Sequence, residues 1–157
     1  MKINKSVEQA IYVIVILALQ EGHASVKSHI ISEILRVSDS YLKKILIKLS
    51  KAGLIQSNAS KTGGYQLSRD VEEISLKDIF FALELHNDVI EFKHLSHAIF
   101  DDEEHVREGE DKILNEINRG LVSFYNELDK FKISELLHKE AYEKGVIEWE
   151  KKIQVKK

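Results

Sequence analysis

Residues 37–65 read VSDSYLKKILIKLSKAGLIQSNASKTGGY, and this stretch decides the fold. In its first half, apolar residues recur at i, i+3, i+4 and i+7, which predicts a two-sided helix over residues 39–52. Ser38 precedes this helix as its expected N-terminal cap, and Gly53 ends it. The residues expected on its buried stripe are Leu42, Ile45, Leu46 and Leu49.

The second half of the stretch predicts a two-stranded hairpin. Residues 54–57 and 65–68 are the expected strands, and the polar residues 58–64 lie between them. Gly63 and Gly64 permit a tight turn there, because glycine adopts a positive φ without steric penalty. A two-sided helix followed directly by a hairpin is the order in which a winged helix-turn-helix presents its recognition helix and its wing.

Two further helices are predicted before this stretch and one after it. Residues 5–20 carry apolar side chains on both faces, which predicts a helix buried on two sides, in the core or against a partner; a buried strand is the alternative. Residues 26–35 predict the second helix, with Ser25 as its cap, and residues 74–85 predict the fourth, with Ser75 as its cap. The fold class is therefore mainly α, with residues 1–85 forming a winged helix-turn-helix DNA-binding domain.

The outer face of the 39–52 helix is basic and begins where a recognition helix meets DNA. Lysines on such a face are often merely solvated, but here they precede a glycine hairpin that also carries a lysine. Side chains at the start of the helix would touch base edges and phosphates, and the wing would reach an adjacent groove or phosphate. The predicted DNA-binding residues are Ser38, Ser40, Tyr41, Lys43, Lys44, Lys48, Lys61, Gly63 and Gly64.

The C-terminal half predicts a long helix followed by a shorter one. Apolar residues in 102–131 are spaced by four, four, three and four, close to a coiled-coil seam, which predicts a dimerisation helix. Within residues 132–157, a last helix is expected over 135–151 with Ser134 as its cap, followed by a basic tail. The predicted dimerisation residues are Ile113, Ile117, Leu121, Phe124 and Leu128.

Residues 86–105 show weaker periodicity and contain four of the seven histidines. A metal site would need three or four ligands converging on one point, which spacing alone does not establish. The acidic residues 101–104 are equally typical of a helix start. We therefore expect a sensing loop that contains no metal, with a histidine-based metal sensor as the alternative. The candidate effector residues are His86, Phe92, His94, His97 and Phe100.

Composition excludes several classes of function. The chain of 157 residues has no cysteine, which excludes disulfides, thiol catalysis and cysteine-ligated zinc or iron–sulfur clusters. It has no Gly-rich phosphate loop, nucleophile elbow or H-E-x-x-H helix, so we expect no enzyme and no catalytic residue.

The longest apolar run, residues 10–19, is about half of the roughly 20 residues that span a bilayer and lacks the flanks of a signal peptide. We expect a cytoplasmic protein without a membrane partner.

Charge is distributed unevenly along the chain. Residues 1–69 hold ten Lys and Arg against four Asp and Glu, whereas residues 70–157 hold thirteen against twenty-two. A basic N-terminal half on an acidic protein indicates a surface for a polyanion, although chance segregation of solvated charges would look the same. Double-stranded DNA is the expected partner.

These motifs resemble the Rrf-two family of bacterial winged-helix regulators, the group that includes IscR, NsrR and CymR. Residues 38–55 match S-x-x-Y-L-x-x-[IL]-[LI]-x-x-L-x-x-A-G-L-[IV], residues 63–65 match the G-G-Y wing, and residues 72–79 match E-E-I-[ST]-L-x-D-I. The resemblance covers about residues 1–137. It implies a homodimer in which the long helices cross and two recognition helices read a palindromic operator, with repression as the expected mode.

The chain departs from the family pattern in three places. Many members bind an iron–sulfur cluster through three cysteines before the dimer helix; this chain has none, so the resemblance implies the cluster-free branch, responding to a small molecule or a partner protein. Ala59 and Ser60 stand where the wing usually carries Arg-Gly, which leaves Lys61 as the nearest cation. Residues 138–157 lie outside the resemblance. A winged-helix interaction module that does not bind DNA is the alternative function.

Overall fold

The computed structural model describes residues 4–60, 63–85 and 92–156. Two strands and a set of helices account for most of these residues, and four short 3-10 helices join them: Glu21–His23, Val71–Glu73, Leu95–Ala98 and Ile133–Leu136. The main elements are α1 (Lys5–Leu19), α2 (Ser28–Leu35), α3 (Asp39–Lys51), β1 (Ile55–Asn58), β2 (Gly64–Leu67), α4 (Leu76–Ala82), α5 (Glu103–Lys130), α6 (Lys139–Lys144) and α7 (Trp149–Val155).

Helix α1 forms the centre of the core. It packs against α2, α3, α4 and β2, and on its other side against the C-terminal segments. This arrangement explains why both of its faces are apolar: the chain itself covers the second face. The predicted stripe of α3 is confirmed, since all four of its members are buried beneath α1 and α2. The buried residues of α1 are Ser6, Val7, Ala10, Val13, Ile14, Ile16, Leu17 and Ala18.

A third extended segment, at Val26, pairs with the predicted β-hairpin. Strands β1 and β2 pair antiparallel, and Val26 adds a bridge to Tyr65 with two hydrogen bonds of 2.9 and 2.8 Å. The prediction that α2 begins at Val26 was therefore wrong, because this residue is extended and bonded to the wing. Gly64 permits the approach, since a Cβ there would lie 2.6 Å from the Val26 carbonyl. Ser25 does not cap α2; its hydroxyl donates to Gln66 Oε1 at 3.2 Å.

The predicted caps of α3 and α4 are confirmed. Ser38 Oγ accepts a hydrogen bond from Tyr41 N at 3.4 Å, which satisfies one free amide at the start of α3. Ser75 and Asp78 form a reciprocal capping box at the start of α4. The turn between α2 and α3 is set by Arg36, whose left-handed backbone (φ +54°) ends α2.

The prediction of one helix over residues 135–151 was wrong. The chain instead forms the Ile133–Leu136 turn, α6 and α7, with a break at Gly145, where φ is +63°. A side chain at Gly145 would collide with the carbonyl of Gln20. After this glycine, Ile147 pairs with Gln20 in a parallel bridge. Because this close contact between Gly145 and the end of α1 leaves no room for a side chain, the predicted helix is divided into α6 and α7. Among the helices in the described ranges, none is long and apolar enough to cross a membrane.

Candidate nucleic-acid interface

Helix α3 presents one side to the core and the opposite side to solvent. Successive residues of an α-helix turn by about 100°, so the direction opposite to the buried stripe is fixed by the sequence positions. The side chains that point in this direction are exposed, and three of the four are polar. We call this set the outward face of α3: Ser40, Lys44, Ile47 and Lys51.

The start of α3 carries two hydroxyls next to the outward face. Ser38 Oγ lies 2.8 Å from Ser40 Oγ while it caps the helix. Tyr41, in the first turn of α3, is 39% exposed. The positive end of the helix dipole lies at these residues and attracts anions such as phosphate. The start of α3 therefore offers hydrogen-bond donors and a favourable potential to a DNA backbone.

The predicted lysines of α3 differ in their surroundings. Lys43 Nζ lies 2.7 Å from Asp39 Oδ2, and this hydrogen bond raises the pKa of Lys43 and lowers the pKa of Asp39. Lys48 Nζ lies 2.9 Å from Glu84 Oε2 and 3.4 Å from the carbonyl of Leu83, so its ammonium points to the end of α4. Neither charge is directed to the outward face.

Lys44 and Lys51 are the cations of the outward face. No hydrogen bond or ion pair joins either ammonium to another residue within 4–60, 63–85 or 92–156. Sequence reasoning identified Lys44 but left Lys51 and Ile47 out of the candidate site. Counting in steps of about 100° from the buried stripe would have found both.

The wing follows α3 directly, and its described part is polar and uncharged. Gly63 and Gly64 lie at the start of β2, and Asn58 Oδ1 accepts a hydrogen bond from Ser60 N at 3.1 Å, which shapes the turn. Residues 55–60 and 63–67 contain no lysine or arginine. The predicted wing contact Lys61 lies outside the described residues.

A cavity of about 570 Å³ lies between the Leu95–Ala98 turn and the start of α5. Its wall is mostly apolar and brings together three of the predicted effector residues, Phe92, His94 and Phe100. His97 is not part of the lining, although its ring packs on that of His94 at 6.2 Å. His86 lies outside the described residues.

Glu110 is a polar group of this cavity that sequence reasoning missed. Its carboxylate accepts a hydrogen bond from Ser96 Oγ at 2.5 Å and lies 2.7 Å from His94 Nδ1. These contacts, that of Ser96 first, hold the pKa of Glu110 below its ordinary value. The sequence signal that could have identified Glu110 is its helical spacing from two other residues of the lining, Val106 and Ile113.

The predicted dimerisation stripe divides into two parts. Phe124 and Leu128 pack against the core of their own chain, and the ring of Phe124 meets that of Phe80 edge-on at 6.0 Å. Ile113 is 51% exposed, whereas Ile117 and Leu121 are partly buried. The C-terminal part of α5 thus anchors the helix to α4, and its N-terminal part leaves apolar surface uncovered.

The family model and two related sequences that match this chain are those of transcriptional regulators. Residues 3–139 match the family model described as "Rrf2: Iron-dependent Transcriptional regulator". The chain is 37% identical over 105 residues to the putative HTH-type transcriptional regulator YwgB of Bacillus subtilis, covering 67% of each protein. It is 39% identical over 84 residues to the putative regulator YffB of Lactococcus lactis, covering 54% of each. The chain thus spans between half and two thirds of the length of these relatives, which are named as transcriptional regulators and not as enzymes.

Solved structures extend the likeness to most of the chain. CymR of Bacillus subtilis, titled a global cysteine regulator, has a TM-score of 0.59 at 25% identity, covering 87% of this chain and 95% of that one. A putative transcriptional regulator from Lactobacillus plantarum has a TM-score of 0.60 at 17% identity, covering 97% of this chain and 98% of that one. At 17% identity, the similarity to the second structure concerns the fold alone. The aligned region extends beyond residue 139, where the family match ends, into the C-terminal segment.

The described residues of this chain offer no set of ligands for the iron in the family description. The sequence has no cysteine, and Glu110, the carboxylate in the cavity, is already bonded to Ser96 and His94. In the part of the chain that the structure describes, no three histidines and carboxylates are placed to hold a metal ion. The fold, the exposed basic face of α3 and the match over residues 3–139 together lead to one assignment. The chain belongs to the Rrf2 family of winged-helix transcriptional regulators.

Proposed function

We propose that this protein is a sequence-specific DNA-binding regulator that represses transcription by occupying a palindromic operator as a homodimer. The observation that carries the proposal is the outward face of α3, where Lys44 and Lys51 are exposed opposite a fully buried stripe, in the helix that precedes the wing. A helix of this kind enters the major groove of B-DNA and contacts bases with its first turns. The protein would act in the cytoplasm, where it meets its operator, and without a membrane partner.

The DNA contacts divide by chemistry. Lys44 and Lys51 supply charge for phosphates and for guanine edges, and Ser40 supplies a hydroxyl that either donates or accepts. Tyr41 adds an exposed ring and a phenol at the edge of the groove. Lys43 and Lys48 reach DNA less readily, because each is bonded to a carboxylate of its own chain.

The second copy of the dimer would pack on the N-terminal part of α5. Ile113, at 51% exposure, and the partly buried Ile117 one turn later leave apolar surface on one side of a helix that is otherwise strongly charged. Ile113→Glu and Ile117→Glu should therefore yield monomers in sedimentation at concentrations where the unaltered chain is dimeric. Val155→Glu, at a site 87% exposed, is the control and should remain dimeric. Monomeric unaltered protein would contradict the dimer.

The cavity beside α5 is the proposed effector site, and we assign it an apolar small molecule. Its volume of about 570 Å³ lies in the range of small-molecule sites, and a mostly apolar wall with a few fixed polar groups, here Glu110 among the described residues, is typical of them. Because α5 carries both the cavity and the dimer surface, a ligand that favours one crossing of the two α5 helices would change the distance between the recognition helices. This regulation uses no cysteine-ligated cluster, and we propose that it needs no cofactor. Stoichiometric iron in the purified protein would overturn the proposal that regulation needs no cofactor.

The experiment that tests the regulator is DNA binding at two salt concentrations. The protein should bind duplexes from its own upstream region more tightly than unrelated duplexes of equal length. Each neutralised phosphate should contribute about 0.9 to the slope of log affinity against log salt. Negligible binding of all duplexes at low salt would overturn the proposal and leave the interaction module as the explanation of the winged helix.

A further inference from the structure

We propose that Ile47 contacts the methyl group of a thymine, so that each half of the operator prefers a T·A pair at one fixed position. This inference rests on the proposed DNA-binding function and adds a specificity-determining residue to it. Ile47 is 52% exposed in a helix whose other aliphatic residues, Leu42, Ile45, Leu46 and Leu49, are buried.

The position of Ile47 on α3, rather than its exposure, distinguishes it. Single exposed apolar residues are common on protein surfaces and need no functional explanation. Ile47 however lies in the middle of the outward face, three residues after Lys44 and four before Lys51. Residues at these separations are neighbours on one side of a helix. If the two lysines meet DNA, the side chain between them meets it as well.

In the free chain Ile47 lines an open surface groove between α3 and α4, together with Phe81 and Ala82, and is not buried there. The side chain is not part of the core that α3 forms with α1 and α2. A β-branched residue also has a lower helix propensity than the lysines around it, so it does not favour the helix either. Isoleucine at position 47 therefore contributes little to the stability of the free chain: its side chain stays exposed, and it does not favour the helix.

The major groove offers an apolar side chain a specific partner. Each base pair presents hydrogen-bond donors and acceptors there, and thymine alone adds a methyl group at C5. A branched aliphatic side chain has no polar atom with which to read the other groups. Contact between the two removes both apolar surfaces from water, and a buried methyl group of this size changes affinity by about fourfold.

The test uses duplexes selected from a random pool by the unaltered protein, so that no operator need be known. Each thymine of the selected site is then replaced by uracil, one at a time, which removes the methyl group and keeps the base pairing. One thymine in each half-site should show a loss of about fourfold in affinity. Ile47→Ser should bind the thymine and uracil duplexes at that position equally.

A matched control separates this contact from a general loss of apolar surface. Val146 is exposed to a similar degree, 57%, but lies between α6 and α7, so Val146→Ser should keep the full response to uracil. If no single uracil weakens binding by the unaltered protein, or if Ile47→Ser responds as the unaltered protein does, the thymine contact is overturned while DNA binding stands. If no duplex of any sequence is bound, the proposed function itself fails.

Discussion

The indole Nε1 of Trp149 donates a 2.8 Å hydrogen bond to the main-chain carbonyl of Ile16, 133 residues earlier in the chain. The same carbonyl also accepts a hydrogen bond from Gln20 N at 3.1 Å, within the last turn of α1. Trp149 lies beyond residue 139, where the family match ends. Helix α7, which begins at Trp149, also packs against α2, the first helix of the helix-turn-helix. The C-terminal segment therefore supports the half of the molecule that we expect to read DNA.

Replacing Trp149 tests how much this support contributes to stability. Trp149→Ala should lower the free energy of unfolding by about 3–5 kcal/mol, because it removes a buried aromatic side chain. Trp149→Phe keeps most of the apolar contact and should cost about 1 kcal/mol, the usual net contribution of one hydrogen bond. Urea denaturation measures both, with Val155→Ala as a control expected within about 0.5 kcal/mol of the unaltered chain. Equal stability of the unaltered chain and Trp149→Ala would mean that α7 does not pack as described.

The sequence alone predicted the elements whose formation is local. The stripe of α3 and the cap by Ser38 are fixed by residues within one or two turns, so periodicity and capping rules sufficed. The break at Gly145 was missed because its cause, the carbonyl of Gln20, is far away in sequence. A glycine inside an otherwise helical pattern was the only local signal.

The candidate site shows the same division between local and distant causes. The basic side of α3 is visible in the spacing of its lysines, but the pairing of Lys48 with Glu84 depends on how α4 packs. The cavity residues Phe92, His94 and Phe100 could be proposed from composition, whereas the role of Glu110 required the fold of the Leu95–Ala98 turn against α5.

The two lysines Lys44 and Lys48 should contribute unequally to DNA binding. Lys44→Ala should weaken binding to all sequences and lower the salt slope by about 1, as expected for one lost phosphate contact. Lys48→Ala should change the slope less, because Glu84 already neutralises its ammonium. Affinities at several salt concentrations measure both effects. Glu84→Gln is the complementary variant and should raise the affinity for DNA, because it releases Lys48. If Lys48→Ala changes the salt slope more than Lys44→Ala does, the outward face of α3 is not the DNA-binding face.

Tyr142 should ionise at unusually high pH. Its hydroxyl donates to Glu72 Oε1 at 2.5 Å, and this hydrogen bond, with desolvation and the nearby negative charges, raises the pKa of Tyr142 to about 12. Because the folded pKa lies above the ordinary value of 10.0, the neutral phenol stabilises the fold fully below pH 10, and this contribution is lost as the pH rises towards 12.

The absorbance of tyrosinate follows this titration directly. Glu72→Gln should return the pKa of Tyr142 towards its ordinary value, and Tyr142→Phe should remove the high-pH step from the titration curve. Denaturation on the two sides of pH 10 should show a smaller alkaline loss of stability in Tyr142→Phe than in the unaltered chain. A titration curve that is the same in the unaltered chain and Glu72→Gln would show that the contact with Glu72 does not form.

Gly109 allows the effector cavity to be filled from within α5. It lines the cavity, and apart from the adjacent residues and backbone of its own helix no atom lies within 4 Å of where its Cβ would be, so Gly109→Leu should fit and occupy part of the space. Replacing a glycine inside a helix also favours the helix by about 0.5–1 kcal/mol. Gly109→Leu should therefore bind less of an apolar fluorescent probe such as anilinonaphthalene sulfonate while being at least as stable as the unaltered chain. Gly120→Leu, which is equally open and in the same helix but outside the cavity, is the matched control. Equal probe binding by the two variants would mean that the cavity beside Glu110 is not where apolar molecules bind.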